Sequence, residues 1–309
     1  MVIKHKIEPQ SEAKPFLKWA GGKTRLLKYF REYYPRNIGR EFKRYSEPFV
    51  GSGAVFFDLV SQGALKGKEV VLADSSNYLI NCYKQLQKST WLEVLRQLNR
   101  LTKQWQDNES YSKNKDEYNE LIEDDRSGRR VDLIRCAALF IFLNKTCFNG
   151  VYRVNSKGYF NVPKGKYAEV PVFKRGALEA IHSALRGVKL MSGPYKQIIE
   201  GIKVTRNDFL YMDPPYIKLS KTSSFTGYQQ EPFGMDEQKE LAEYCVELQK
   251  KGCYSLISNH WVECIKELYP KDYFKYKTFS VSRCINSIAE RRGNLTEEVL
   301  IISKEKETN

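Results

Sequence analysis

Short apolar runs alternate with helical periodicities along most of the chain. Glu69-Val-Val-Leu-Ala-Asp74 reads as a buried strand ending in an acid, and Asn77 to Gln87 as a helix capped by Ser76 or Asn77. Val188 to Met191 reads as a short strand, followed by a turn at Gly193-Pro194 and a helix over Lys196 to Gly201. Phe209-Leu-Tyr-Met212 is a further strand, running straight into Asp213-Pro214-Pro215-Tyr216. A helix near Asp236 to Lys250, a strand at Cys253 to Ser258, and strands near Tyr273 to Val281 and Glu298 to Ser303 complete the series. This alternation predicts an α/β fold, a parallel or mostly parallel sheet with helices on both faces.

Between about 77 and 175 the character changes. The chain there is richly charged and helical, over Trp91 to Gln104, Lys115 to Ile122 and Val131 to Leu143. It ends in a Gly- and Asn-rich stretch, Asn144 to Tyr167, with little regular period. With no repeats and no Pro- or Ser-rich linker, this region reads as a lobe inserted into the α/β domain, built to grip something outside the sheet.

Composition narrows the partner. Of 309 residues, 51 are basic and 37 acidic, a formal net charge of +14, and 13% are aromatic. Such an excess attracts a polyanion, and the aromatic residues supply stacking surfaces, so nucleic acid is the first partner to consider. The longest strongly apolar run, Cys136 to Leu143, is too short to span a bilayer, and the N-terminus has no continuous apolar core of a signal peptide. A cytoplasmic protein that uses no membrane is expected. Seven cysteines form no C-x-x-C pair and only three histidines are present, so reduced, mostly buried thiols and no metal site are expected.

Three constellations carry the chemistry. The first is Phe16-Leu17-Lys18-Trp19-Ala20-Gly21-Gly22-Lys23. Its tail, Gly22-Lys23-Thr24, lacks the glycine that a phosphate-binding P-loop needs five residues earlier, where Leu17 stands. What remains is an aromatic, a Gly-Gly pair and a lysine, which suit a ligand with a carboxylate and a flat ring, or an ordinary N-cap turn before a helix from Thr24. The second is Glu47-Pro48-Phe49-Val50-Gly51-Ser52-Gly53, a turn between a short β-like run and the helical Ala54 to Leu59. Glycines there admit a ligand at the carboxyl end of a strand, and Asp74, ending the next strand, stands where a carboxylate grips ribose hydroxyls. Phe56 occupies the third position after Gly53, so the pyrophosphate fingerprint is broken and a nucleoside without pyrophosphate fits better; S-adenosylmethionine is the common one.

The third, Asp213-Pro214-Pro215-Tyr216, is the sharpest. Two prolines stiffen the turn and remove backbone donors. Asp213 and the carbonyl of Pro214 offer acceptors for the two hydrogens of a planar amine, and Tyr216 a face on which its ring can stack. Hydrogen bonds of this kind draw the nitrogen lone pair out of conjugation, so that the amine can attack an electrophilic methyl.

These three blocks resemble the cofactor, glycine and catalytic motifs of the Dam-type N6-adenine DNA methyltransferases, the D12 class, in the order of the family's α group. Two further blocks match. Asn144 to Asn155 with Gly158 to Pro163 and Tyr167 resembles the family's target-recognition hairpin, and Leu219-Ser220 with Ser224-Phe225-Thr226 and Tyr228 resembles the segment after the catalytic motif. The likeness runs from residue 16 to about 302. It implies a Rossmann-like S-adenosylmethionine-binding catalytic domain over 1–76 and 176–309, and a target-recognition domain over 77–175.

The resemblance further implies that Trp19, Lys23, Asp74 and Asp213 hold S-adenosylmethionine, with Phe49, Gly51, Gly53 and Tyr195 as further candidates, and that Asp213, Pro214, Pro215 and Tyr216 hold a flipped adenine. It places Phe148 as a wedge in double-stranded DNA, Asn149 at the orphaned thymine, Arg153 on a guanine, and Lys18, Pro163 and Tyr167 at other DNA contacts. Arginine can bond guanine O6 and N7 together, and a stacked base must be extruded before a pocket can act on it. Arg153 as a phosphate contact and Phe148 as a core aromatic are the alternatives. The pattern departs from many relatives at Gly193-Pro194-Tyr195, where they carry an acid after the glycine; Tyr195 or backbone groups then hold the cofactor's adenine. The implied activity is methylation of adenine in duplex DNA, with GATC the expected site and bacteria, archaea or phage the expected source. A methyltransferase of RNA bases or of a protein amide, and a non-catalytic DNA-binding module or nuclease, are the rivals; the hairpin opposes the first, and intact Asp213 with the absence of a metal-site pattern the second.

Overall fold

The computed structural model describes residues 12–105, 107–167, 172–216, 233–282 and 295–304. Its helices are α1 (Leu27–Phe30), α2 (Ala54–Ser61), α3 (Asn77–Gln87), α4 (Trp91–Gln104), α5 (Asn108–Arg126), α6 (Leu133–Thr146), α7 (Arg175–Leu185), α8 (Tyr195–Ile202), α9 (Met235–Lys250) and α10 (Glu263–Leu268). Its strands are β1 (Arg44–Glu47), β2 (Glu69–Asp74), β3 (Lys189–Ser192), β4 (Asp208–Met212), β5 (Tyr254–His260), β6 (Phe274–Ser282) and β7 (Leu295–Ser303). The chain divides into two compact units. The first takes Met1–Thr24, Gly51–Lys66 and Ser76–Leu190; the second takes Arg25–Val50, Gly67–Ser75 and Met191–Asn309.

β1, β2 and β4 to β7 lie in the second unit, and the strand order of the sheet is β3-β2-β1-β4-β5-β7-β6. β1 pairs in parallel with β2 and β4, and β4 with β5, whereas β7 runs antiparallel to both β5 and β6. All five residues of β4 and all seven of β5 are buried, as expected of central strands covered on both faces. The period of two divides β4. Leu210 and Met212 join Leu241, Cys245 and Leu248 of α9 and Ile265 of α10, while Phe209 meets the rings of Tyr34, Phe42, Tyr45 and Tyr254. Ile198 and Ile202 of α8 pack on Val71 and Ala73 of β2. At the amino end of β4, buried Asp208 takes two bonds from Arg44 of β1, at 2.8 and 2.9 Å. Strand order reverses between β1 and β4, and the carboxyl ends of strands at such a point are where open α/β sheets bind ligands.

The first unit is helical. α6 is apolar almost all round, with ten buried residues, and lies against α3, α4 and α5. Asp132 starts it by accepting from the main-chain N–H groups of Ile134 and Arg135, and Ser76 caps α3 by accepting from Leu79 at 3.3 Å.

Most expected elements are observed, with several differences: no helix is expected from the sequence where α7 (Arg175–Leu185) stands, and β7 begins at Leu295, three residues before the expected Glu298. The helix expected from Thr24 begins at Leu27. The short periodic stretch Lys115 to Ile122 lies within the longer α5, whose start is fixed by a capping box between Asp107 and Ser110. α6 runs three residues further than the apolar run, so that Asn144 sits in its last turn and is fully buried. α10, only six residues long, carried no signal. Cys82, Cys136, Cys147, Cys245 and Cys253 are buried free thiols and Cys264 is half-buried; Cys284 lies outside the described residues. Among the described residues no helix is long and apolar enough to cross a membrane.

Candidate functional site

The stiff Asp213–Tyr216 turn leaves the carboxyl end of β4 in the second unit. Asp213 is half-buried, directly after buried Met212. The ring of Tyr216 lies 4.4 Å from that of His260, and its hydroxyl donates to Glu298 Oε2 at 3.3 Å. His260 and Glu298 are register partners on β5 and β7, so the sheet itself sets this support. Burial, followed by the charges of Asp213 and Glu298, pushes the Tyr216 phenol well above its ordinary value. Tyr216 is therefore neutral, a ring for stacking with a hydroxyl that donates.

Main-chain bonds gather the ends of β1, β2 and β3 in the same unit. The N–H of Val50 donates to the carbonyl of Ala73 at 2.8 Å, and that of Gly193 to the carbonyl of Asp74 at 3.1 Å. Phe49 then meets Tyr195, at the first position of α8, with ring centroids 5.3 Å apart, and both meet Phe233. Phe49 and Tyr195 are thus in ring contact, and the main chain of Asp74 is bonded to Gly193, two residues before Tyr195. The three rings form an apolar surface of the kind that suits a flat purine.

In the first unit, the turn closed by Gly22 N–H and Trp19 C=O at 3.1 Å presents Trp19 to Gly51. A Cβ on Gly51, whose φ is +47°, would lie 2.7 Å from Trp19 Cδ1; one on Gly53, at φ +69°, would lie 2.8 Å from the Tyr83 hydroxyl. Tyr83 donates to the Gly51 carbonyl at 3.0 Å and so holds the glycine turn from beneath. Trp19 stacks against Tyr152, centroids 5.9 Å apart, and buried Lys23 bonds the Gly21 carbonyl. The close approach that glycines were expected to permit is used here by protein side chains.

The segment Asn144 to Tyr167 belongs to the same unit and is irregular. Two isolated antiparallel bridges, Cys147 with Lys164 and Val154 with Phe160, replace a continuous ladder. Asn149 and Gly150 both have positive φ, which breaks the strand at its start. Phe160 and Val162 anchor the hairpin in the core, where Tyr111 donates to the Val162 carbonyl and Asn119 to the Phe160 carbonyl. Phe148 is exposed and so is not a core aromatic, and its N–H donates to the Pro163 carbonyl at 2.8 Å. Lys18 Nζ donates to the Tyr167 hydroxyl at 3.2 Å and stands over that ring. Phe148 is thereby tied to Pro163, and Lys18 to Tyr167. Arg153, further along, is exposed and donates through Nε to Asn161 Oδ1 at 3.0 Å.

Sequence reasoning missed Tyr83, Gln238, Asn259, His260 and Glu298, each a single polar residue far from any motif. The Leu219–Tyr228 block lies outside the described residues. Among the described residues, no three His, Cys, Asp or Glu side chains are grouped to hold a metal ion.

A family model for D12 class N6 adenine-specific DNA methyltransferases matches residues 19–284. The chain is 37% identical over 300 residues to the type II methyltransferase M.MjaIII of Methanocaldococcus jannaschii, covering 94% of this chain and 99% of that one. It is 35% identical to the type II methyltransferase M1.LlaDCHI of Lactococcus lactis subsp. cremoris, covering 93% and 94%. With the DNA adenine methylase of Escherichia coli K12 it shares 30% identity over 284 residues, covering 91% and 92%.

Proposed function

The chain belongs to the D12 class of N6 adenine-specific DNA methyltransferases, and on that premise we propose that it methylates the adenine of GATC in duplex DNA, taking S-adenosylmethionine as donor and a base flipped from the stack as acceptor. The observation that carries the reading is the Asp213–Tyr216 turn at the end of β4, with its neutral, sheet-supported tyrosine.

S-adenosylmethionine supplies an electrophilic methyl when bound. The donor set fits it: the Asp74 carboxylate suits ribose hydroxyls, and the Phe49–Tyr195 pair suits the purine. Trp19, Lys23, Gly51, Gly53 and Asp213 are assigned to the same ligand by their motifs. Asp213 and the Pro214 carbonyl accept the two amine hydrogens of adenine, and Tyr216 stacks on its ring. The nitrogen lone pair then forms the N–C bond as the sulfonium C–S bond breaks, leaving a thioether, and the resulting ammonium releases its proton to water. Positioning supplies most of the acceleration, and Asp213 need not be a strong base.

On the DNA side, Arg153 reads guanine, exposed Phe148 enters the stack, Asn149 meets the unpaired thymine, and Lys18, Pro163 and Tyr167 line the same path. The test is to methylate a plasmid and map its modified adenines by sequencing. Modification centred on GATC is expected; a map centred on sites without guanine before the adenine would contradict both the site and the role given to Arg153.

A further inference from the structure

A directed chain of hydrogen bonds in the second unit ends on the Asp213–Tyr216 turn. The main-chain N–H of His260 donates to Asn259 Oδ1 at 2.9 Å. Asn259 Nδ2 donates to Gln238 Oε1 at 3.0 Å, and Gln238 Nε2 donates to the Pro215 carbonyl at 2.8 Å. Gln238, in the first turns of α9, and Asn259, near the end of β5, are both fully buried. A backbone N–H can only donate and the Pro215 carbonyl can only accept, so each amide has one orientation consistent with both neighbours.

We propose that Gln238 and Asn259 are positioning residues for methyl transfer, setting the direction of the Pro215–Tyr216 peptide and with it the Tyr216 ring. The proposal rests on the reading of this turn as the amine pocket. Its physical basis is that consecutive prolines leave residues 214 and 215 without N–H donors, so neither can be held by donating to a neighbouring strand. With φ fixed by the pyrrolidine ring, the soft torsion before Tyr216 is ψ of Pro215, and the direction of its carbonyl reports that torsion. Gln238 holds that carbonyl from the core. Asn259 keeps the amide the right way round.

The test measures kcat and KM on plasmid DNA with labelled S-adenosylmethionine, for variants whose folding is checked by circular dichroism. Gln238→Met keeps the volume and removes the donor; it is expected to lower kcat about 10- to 100-fold, with little change in KM for either substrate. Asn259 is replaced in two ways. In Asn259→Asp the introduced carboxylate accepts from both the His260 N–H and Gln238 Nε2, which turns the Gln238 amide over and sets Oε1 against the Pro215 carbonyl. Asn259→Ala removes a partner without forcing that reversal. The larger loss of kcat is therefore expected from Asn259→Asp, although it is the more nearly isosteric change; a mere packing role gives the opposite order. Normal kcat in folded Gln238→Met, or Asn259→Ala at least as impaired as Asn259→Asp, overturns the proposal. Asp213→Ala measured in parallel separates the two levels. Normal turnover by that variant removes the amine pocket itself, whereas an inactive Asp213→Ala beside a fully active Gln238→Met removes only the positioning role.

Discussion

The side-chain amide of Asn144 accepts from the main-chain N–H of Lys18 and donates to the Lys18 carbonyl, both at 2.8 Å. One buried side chain thus pairs with the backbone as a neighbouring strand would. Its Nδ2 also donates to the Gly150 carbonyl at 3.0 Å, so the last turn of α6 ties the Phe16–Lys23 segment to the hairpin. Asn144→Ala leaves these main-chain groups without that partner and is expected to cost about 2–3 kcal/mol in chemical denaturation. An unchanged unfolding midpoint would remove this clamp from the account.

Gly51 has a different vulnerability. Alanine there meets both left-handed φ and the Trp19 ring. Gly51→Ala is expected to displace Trp19 and weaken S-adenosylmethionine binding at least about tenfold, or ~1.4 kcal/mol, by calorimetry. Wild-type affinity would separate the glycine turn from the cofactor.

Asp74→Ala should weaken cofactor binding more than DNA binding, because the ribose hydroxyls lose their acceptor. Calorimetry with S-adenosylhomocysteine and a duplex titration on the same variant decide it; equal losses in both would point to a structural role.

How much of this was legible follows from where each signal resides. The Asp213–Tyr216 turn and the β4 run before it are contiguous, so the strand and the turn at its carboxyl end could be read directly from the sequence. The strand ending on Asp74 was legible because its apolar run is unbroken. The supports were not. Tyr83 lies on α3 and is 32 residues from the Gly51 carbonyl it holds; Gln238 and Asn259 show the periodicity of their helix and strand and nothing more. A polar residue's partner is decided by tertiary folding, which no local pattern records. The irregular hairpin had the same cause: positive φ at Asn149 and Gly150 and anchors from α5 shape it, without strand periodicity.

Arg153 offers a test of specificity. If it reads the guanine before the target adenine, Arg153→Ala loses about 1–3 kcal/mol of discrimination at that base and less elsewhere. Asn161→Ala, which frees Nε of Arg153, should give a smaller loss at the same base. A uniform loss across sequences, with a flatter salt dependence, would make Arg153 a phosphate contact.

The central claim is that Asp213 receives the adenine amine for methyl transfer, and single-turnover transfer of labelled methyl from S-adenosylmethionine to a GATC duplex tests it most directly. The wild-type protein should yield N6-methyladenine within GATC, and folded Asp213→Ala, still able to bind the duplex, should yield none. Label on another base, on RNA or on protein, or near-normal transfer by Asp213→Ala, would contradict it.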